Sequence, residues 1–182
     1  MLNRVEIRIS GLGGQGVVLA GQILGRAAVY SGRNALQTQT YGAEARGSAA
    51  KSEVIVSDGK IGFPSIRKCD ILIVMSQAAL DRDFGDLKNN GILLVDSKHV
   101  ESIPETKAKV FEVPATETSR KEFGVSTHAN IIMLGALTKI TNLVKTEAME
   151  KAIRESVPEK TVKDNLDALK RGSILRLHQL RS

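Results

Sequence analysis

The sequence predicts an α/β fold: a three-layer sandwich whose mostly parallel, twisted sheet carries one inserted antiparallel hairpin and gives way to a helical C-terminal part. Three observations predict it. Short apolar runs of strand length alternate with helical patterns up to residue 113, the order that builds βαβ units. The run Ile71-Leu72-Ile73-Val74-Met75 is apolar throughout, the mark of a central strand buried on both faces. From residue 115 onward the apolar positions recur at helical spacing.

Taken in order, Val5, Ile7 and Ile9 alternate along a strand near 4–10 and run into Ser10-Gly11-Leu12-Gly13-Gly14-Gln15-Gly16. A helical pattern over 15–31 follows (Val17, Val18, Gly21, Ile23, Leu24, Ala27, Ala28) and stops at Ser31-Gly32, a C-terminal glycine signal. Strand, glycine turn and helix form the first half of a Rossmann-like unit, completed by a strand near 34–39. Residues 41–48 are too polar and glycine-punctuated for a strand. Next, Ser52, Val54 and Val56 alternate with Lys51, Glu53 and Ile55. Ser57-Asp58-Gly59-Lys60 reads as a hairpin turn, with Phe63-Pro64 closing that arm.

Residues 71–75 then form the buried strand, 77–87 a helix, Asn89-Asn90-Gly91 a turn and 92–95 another buried strand. Residues 109–113 read as a strand near an edge, because Pro114 follows. Helices are expected over 116–122, from 131 to 140 (Ile131, Ile132, Leu134, Leu137, Ile140), over 146–156 and over 159–171, with the last residues continuing as helix or tail. No repeat or linker interrupts the pattern, so residues 1–182 read as a single domain.

Composition narrows the function classes. Apolar residues are 42% of 182, and no apolar run approaches the ~20 residues of a membrane span. No apolar h-region follows Met1-Leu2-Asn3-Arg4-Val5-Glu6, so a soluble cytoplasmic protein without a membrane partner is expected. With one cysteine, Cys69, the chain can form no internal disulfide and cannot supply the four thiolates of an iron–sulfur cluster. Cys69 itself reads as a small buried side chain at a strand mouth. His99, His128 and His178 are scattered and form no zinc set. No Ser–His–Asp arrangement emerges, and His128 reads as a capping or surface residue. The net charge of +6 favours acidic partners. Aromatic residues are only 3%, and none falls in the basic segment 160–181, so nucleic acid is not an expected partner.

Gly11, Gly13 and Gly16 spell G-x-G-x-x-G, which suggests a dinucleotide fingerprint. The acid that would hold a ribose is missing: no Asp or Glu lies between Glu6 and Glu44, while Arg8, Arg26 and Arg33 do. The turn reads either as an anion cradle, with bare N–H groups at a helix start, or as a tight packing turn. A free-standing nucleotide-binding dehydrogenase is the rival that the missing acid counts against. Glu44 and Arg46, between Gly42 and Gly47, should lie beside the glycine turn at the carboxyl edge of the sheet. There they could pair, present a fork to a partner's anion, or be solvated.

Together, Ile9-Ser10-Gly11-Leu12-Gly13-Gly14-Gln15-Gly16 and Tyr41-Gly42-Ala43-Glu44-Ala45-Arg46-Gly47-Ser48 resemble the gamma subunit of 2-oxoacid:ferredoxin oxidoreductases. The first block matches the family's Gly-x-Gly-Gly-Gln-Gly. The second matches its Tyr-Gly-x-Glu-x-Arg-Gly, with Ser48 where a further glycine is common. Cys69-Asp70-Ile71-Leu72-Ile73-Val74-Met75, and Asn130 with Leu134-Gly135-Ala136-Leu137, extend the likeness over essentially the whole chain.

The resemblance implies a multi-subunit enzyme that converts a 2-oxoacid, coenzyme A and oxidised ferredoxin to acyl-CoA, CO2 and reduced ferredoxin. Thiamine diphosphate, magnesium and the Fe–S clusters would sit in alpha, beta and ferredoxin-like delta subunits. The gamma chain, without catalytic residues or a metal of its own, would help form the coenzyme A site and the assembly. On this reading Gly11, Gly13, Gly14, Gln15 and Gly16 contact phosphate, pantetheine or a partner subunit. Tyr41, Glu44, Arg46 and Gly47 form the adjoining wall, and Thr127 and Asn130, at a helix start, add a third element. The form of the second block looks closest to 2-oxoglutarate members; pyruvate and branched-chain members are the alternatives. An isolated gamma chain could also form a homodimer.

Overall fold

The alternation of Val5, Ile7 and Ile9 makes β1 (Arg4–Leu12) the strand from which both halves of the sheet extend. In a computed structural model describing residues 4–42 and 48–180, seven strands follow the order β2-β3-β1-β4-β5-β6-β7. On one side β1 pairs antiparallel with β3 (Ala49–Ser57), which pairs antiparallel with β2 (Asn34–Tyr41). On the other, β4 (Cys69–Val74), β5 (Leu87–Asp96) and β6 (Lys109–Val113) continue parallel to β1. The short β7 (His178–Leu180) closes that edge antiparallel.

Six α-helices join the sheet: α1 (Val17–Tyr30), α2 (Gln77–Asp83), α3 (Ala115–Phe123), α4 (Ala129–Thr141), α5 (Thr146–Ser156) and α6 (Val162–Ile174). Strand periodicity divides the core into two layers. Ile7, Ile9, Val54, Val56, Ile71 and Ile73 face a cluster that includes side chains of α1, α4, α5 and α6. Ile55, Leu72, Val74, Leu93 and Val95 face Ala79 and Leu80 of α2 and the connecting segments around Ile66, Val100 and Ala108. All residues of α4 from Ala129 to Thr138 are buried, as expected of a helix that is apolar all round. It meets α6 at glycine: a Cβ on Gly135 would strike the Leu169 carbonyl, and one on Gly172 the Ile132 carbonyl.

Arg8 occupies the second layer with 2% of its surface exposed. It pairs with Glu53 at 2.6 Å and with Asp86, and donates to the Ile66 carbonyl. Burial alone would lower its pKa; Asp86 and Glu53 outweigh that and raise it.

Several expectations are corrected. The inserted antiparallel arm exists, but its hairpin is β2–β3, connected through residues 42–48, and not the Ser57-Asp58-Gly59-Lys60 turn. That turn leaves β3 for β4 on the far side of β1, with Asp58 accepting from Arg33 at 2.7 Å. Turn chemistry marks where a chain bends, not which strand it reaches. Asn89-Asn90-Gly91 lies inside β5 rather than before it. The β4–β5 register shifts between Cys69↔Leu87 and Ile71↔Ile92, so these residues form a bulge. A Cβ on Gly91 there would lie 2.8 Å from the Asp70 carbonyl oxygen. The helix after residue 77 is shorter than expected, α2 ending at Asp83 with a 3-10 turn over Phe84–Asp86.

Although Pro114 follows it, β6 is not the edge, because the C-terminal residues form β7 instead of helix or tail. His128 stands at the start of α4 but makes no side-chain cap. It holds the N-cap position but is not at the surface: the residue is buried, with its ring 4.9 Å from that of Phe123. Cys69 matches its expectation, being fully buried at the head of β4 with its thiol pKa pushed up to about 11 by desolvation. Among the described residues, no helix is long and apolar enough to cross a membrane.

Candidate functional site

The glycine turn sits where β1 hands over to α1, at the carboxyl ends of β1 and β4. From here α1 leaves to one layer and α2 to the other, the switch point at which open α/β sheets take their ligands. Met75 N–H donates to the Ser10 carbonyl at 2.9 Å. The next rung of a parallel ladder would join Leu12 N–H to the Met75 carbonyl. The side-chain amide of Gln15 stands in that rung instead: its Oε1 accepts from Leu12 N–H at 2.7 Å, and its Nε2 donates to the Met75 carbonyl at 2.8 Å.

Gly11 makes room for this amide. A Cβ there would lie 2.6 Å from Gln15 Oε1 and 2.9 Å from Val17 Cγ2. Gly16, at φ +71°, is the α1 N-cap and is closed over by Asn130 of α4. Asn130 Nδ2 donates to the Gly16 carbonyl at 3.0 Å, and its Oδ1 accepts from Ile131 N–H at 2.9 Å. Gly11, Gln15, Gly16 and Asn130 therefore build the turn.

Gly13 and Gly14 are what the turn presents outward, and both are exposed. Gly13 N–H donates to the Ser48 carbonyl at 2.8 Å, while Gly14, at φ +93°, has nothing among the described residues within 4 Å of a would-be Cβ. Gly16, being glycine, brings no side-chain cap to α1, and the first N–H groups of a helix have no partners within it, with the helix dipole behind them.

The two blocks singled out in the sequence thus meet, through Gly13 and Ser48, at the carboxyl edge. Ser48 was not among the residues expected at the site; its place opposite Gly13 follows from the Leu12↔Ala49 pairing of β1 and β3. Tyr41 is 57% exposed. It pairs with Ala50, which pairs with Gly11, so it stands two strand spacings, about 10 Å, from β1. Glu44, Arg46 and Gly47 lie outside the described residues. Thr127 is exposed just before α4.

The arginines expected near the cradle are elsewhere. Arg8 is buried in its ion pairs, Arg26 donates to the Glu155 carbonyl, and Arg33 pairs with Asp58 at the opposite end of α1. Among the described residues, no group of three or more His, Cys, Asp or Glu is placed to hold a metal ion.

Comparison with known proteins adds to this geometry. Residues 6–174 match the family model described as pyruvate ferredoxin/flavodoxin oxidoreductase. The chain is 50% identical over 172 residues to the 2-oxoglutarate synthase subunit KorC of Methanocaldococcus jannaschii, covering 93% of this chain and 92% of that protein. The crystal structure of the keto/oxoacid ferredoxin oxidoreductase gamma subunit from Geobacter sulfurreducens PCA is similar at a TM-score of 0.82 and 44% identity, over 92% of this chain and 95% of that one. A 2-oxoglutarate:ferredoxin oxidoreductase from Magnetococcus marinus, with 2-oxoglutarate, coenzyme A and succinyl-CoA bound, shares the fold at a TM-score of 0.84 and 21% identity. That match covers 93% of this chain and 30% of that one.

Proposed function

Because this chain belongs to the pyruvate ferredoxin/flavodoxin oxidoreductase family and is similar over nearly its whole length to subunits of gamma type, we propose that it is the gamma subunit of a cytoplasmic 2-oxoglutarate:ferredoxin oxidoreductase. The complex converts 2-oxoglutarate and coenzyme A to succinyl-CoA and CO2 and passes the electrons to ferredoxin. Alpha and beta subunits, with a ferredoxin-like delta subunit, hold the thiamine diphosphate, magnesium and clusters. The gamma chain supplies a backbone ledge for coenzyme A and for the neighbouring subunit.

One observation carries this reading: Gly13 and Gly14 lie exposed just before the start of α1, Gly13 pinned to Ser48 at the carboxyl edge of the parallel strands. Gly13 N–H is taken by Ser48, so the ledge would offer a phosphate or a pantetheine carbonyl the N–H of Gly14 and the dipole of α1, and the absence of side chains lets such a group approach closely. A relative of the same fold has coenzyme A bound, which supports the choice of ligand. In the rival reading, as a free-standing dinucleotide dehydrogenase, the cofactor would need the crevice between β1 and β4, and Gln15 fills it.

Gly13→Val is the informative variant. Among the described residues a Cβ at Gly13 meets nothing closer than 3.6 Å, so the fold should survive while the ledge is crowded. With the chain co-expressed beside its alpha and beta partners, Gly13→Val and Arg46→Ala are expected to raise KM for coenzyme A about tenfold, roughly 1.4 kcal/mol, or to weaken assembly. If both variants assemble normally with KM unchanged, the site assignment is wrong.

A further inference from the structure

The strand β2 ends the sheet, with β3 as its neighbour on one side and, among the described residues, no strand on the other. Its sequence, Asn34-Ala35-Leu36-Gln37-Thr38-Gln39-Thr40-Tyr41, contains no charge and no proline. Those are the devices that usually blunt an edge against pairing. Gly42 N–H donates to the Ala49 carbonyl at 2.7 Å, one step beyond the Tyr41↔Ala50 pair. The hydrogen-bonded positions toward β3 are therefore the even-numbered residues. Ala35, Gln37, Gln39 and Tyr41 turn their N–H and C=O groups to the open side.

Beside this edge runs a groove of about 430 Å3 between α1 and β2, lined by Gly25, Arg26, Val29, Tyr30, Ala35 and Gln37 among others. Val29 (54%) and Tyr30 (38%) are among the exposed large apolar side chains, as is Tyr41 at the other end of the strand.

We propose that this edge pairs with the β2 of a second copy of the chain, antiparallel about a two-fold axis at Thr38, and that Tyr41 of each copy fills the α1–β2 groove of the other. The register follows from the strand itself. With the axis at Thr38, all four outward residues find partners: Ala35 opposite Tyr41 and Gln37 opposite Gln39. Between them Thr38 meets its own image and Leu36 meets Thr40. Small faces large, amide faces amide, threonine faces threonine, and no like charges meet along the ladder.

Ala35 and Gln37 share the α1 side of the sheet: Gln37 donates to Ser52 Oγ, beneath Gly21 of α1. Tyr41 has the same parity, so in the pair its ring lies on that side, next to the partner's Ala35 and the groove. α1 packs above β3, so the two α1 helices would stand three strand spacings, about 14 Å, apart. Directly packed helices are about 8–10 Å apart, and the extra width is the space the tyrosines occupy.

The test uses the full chain, purified without other subunits, with mass measured by light scattering across a dilution series. A dimer of twice 19.6 kDa is expected. Thr38→Lys sets two ammonium groups side by side at the axis and should weaken dimerisation about tenfold or more, with the folded far-UV spectrum intact. Thr38→Ser should dimerise like the parent. Thr38→Cys should cross-link to itself under mild oxidation, since opposed residues in a non-hydrogen-bonded pair have Cα atoms about 4.5 Å apart, within disulfide reach; native Cys69 is buried and silent. A monomeric parent chain at its highest soluble concentration would overturn the proposal. So would a dimer that tolerates Thr38→Lys and resists the Thr38→Cys cross-link.

Discussion

Replacing Gln15 by alanine tests whether a side-chain amide really serves as a rung of the sheet. The substitution removes two hydrogen bonds, from Leu12 N–H and to the Met75 carbonyl, each contributing about 1 kcal/mol net. It also leaves the carbonyl of Met75, a residue 1% exposed, without that donor, an added loss of about 1–2 kcal/mol. The expected destabilisation is about 3–4 kcal/mol. For a chain of this size that lowers Tm by about 5–15 °C, measurable by calorimetry or by denaturant titration of the purified chain.

Two companions sharpen the test. Gly11→Ala places a methyl 2.6 Å from Gln15 Oε1 and should be destabilising in its own right. The double variant should lose less than the sum, because without the amide that clash disappears. Gln15→Glu keeps the acceptor for Leu12 N–H but turns a carboxylate oxygen toward the Met75 carbonyl. Its carboxyl should stay protonated to higher pH in the folded state, so this variant should gain stability as pH falls and lose it as pH rises through the raised folded pKa. Gln15 is no rung of the sheet if Gln15→Ala melts with the parent, or if the double variant shows the full additive loss.

Three further outcomes are expected. Gly135→Ala and Gly172→Ala should each unfold the chain at markedly lower denaturant, by about 1–3 kcal/mol or more, because each methyl meets backbone across the α4–α6 contact; equal midpoints would mean that the helices have slack. Arg8→Ala should cost about 1.5–3 kcal/mol, since Glu53 and Asp86 lose their buried partner while keeping some access to solvent. Adding Glu53→Ala should recover part of that loss in a double-mutant cycle. The Cys69 thiol, raised to about 11 from an ordinary 9.0, favours the folded state below the ordinary value and loses that contribution as pH rises through the folded one. Alkylation at mildly alkaline pH should therefore be slow in the native chain and fast after unfolding, and rapid native labelling would contradict the burial.

What could be read from the sequence was whatever depends on near neighbours. Val5, Ile7 and Ile9 alternate because one side of β1 must be buried, and that period is visible in any window. The stretch 71–75 could be placed in the sheet's centre because both its faces are apolar. The glycines of 11–16 announced a turn, and the lack of an acid between Glu6 and Glu44 set it apart from the usual dinucleotide fingerprint. The family likeness rests on the same short blocks.

Tertiary structure decided how those pieces meet. Asn89-Asn90-Gly91 has turn chemistry, yet the pull of β4 on both sides absorbs it as a bulge in β5. His178 to Leu180 carries no strand signal and becomes β7 because β6 would otherwise expose its hydrogen-bonding edge. Above all, Gln15 and Asn130 are polar residues near a glycine turn, a pattern equally consistent with holding a ligand. Only when β1, β4 and α4 converge does it emerge that both amides are spent on the protein's own backbone, leaving Gly13 and Gly14 as the open ground. Periodicity records whether a residue is buried; which hydrogen-bonding partner it finds depends on chain segments tens of residues away, and no local pattern carries that information.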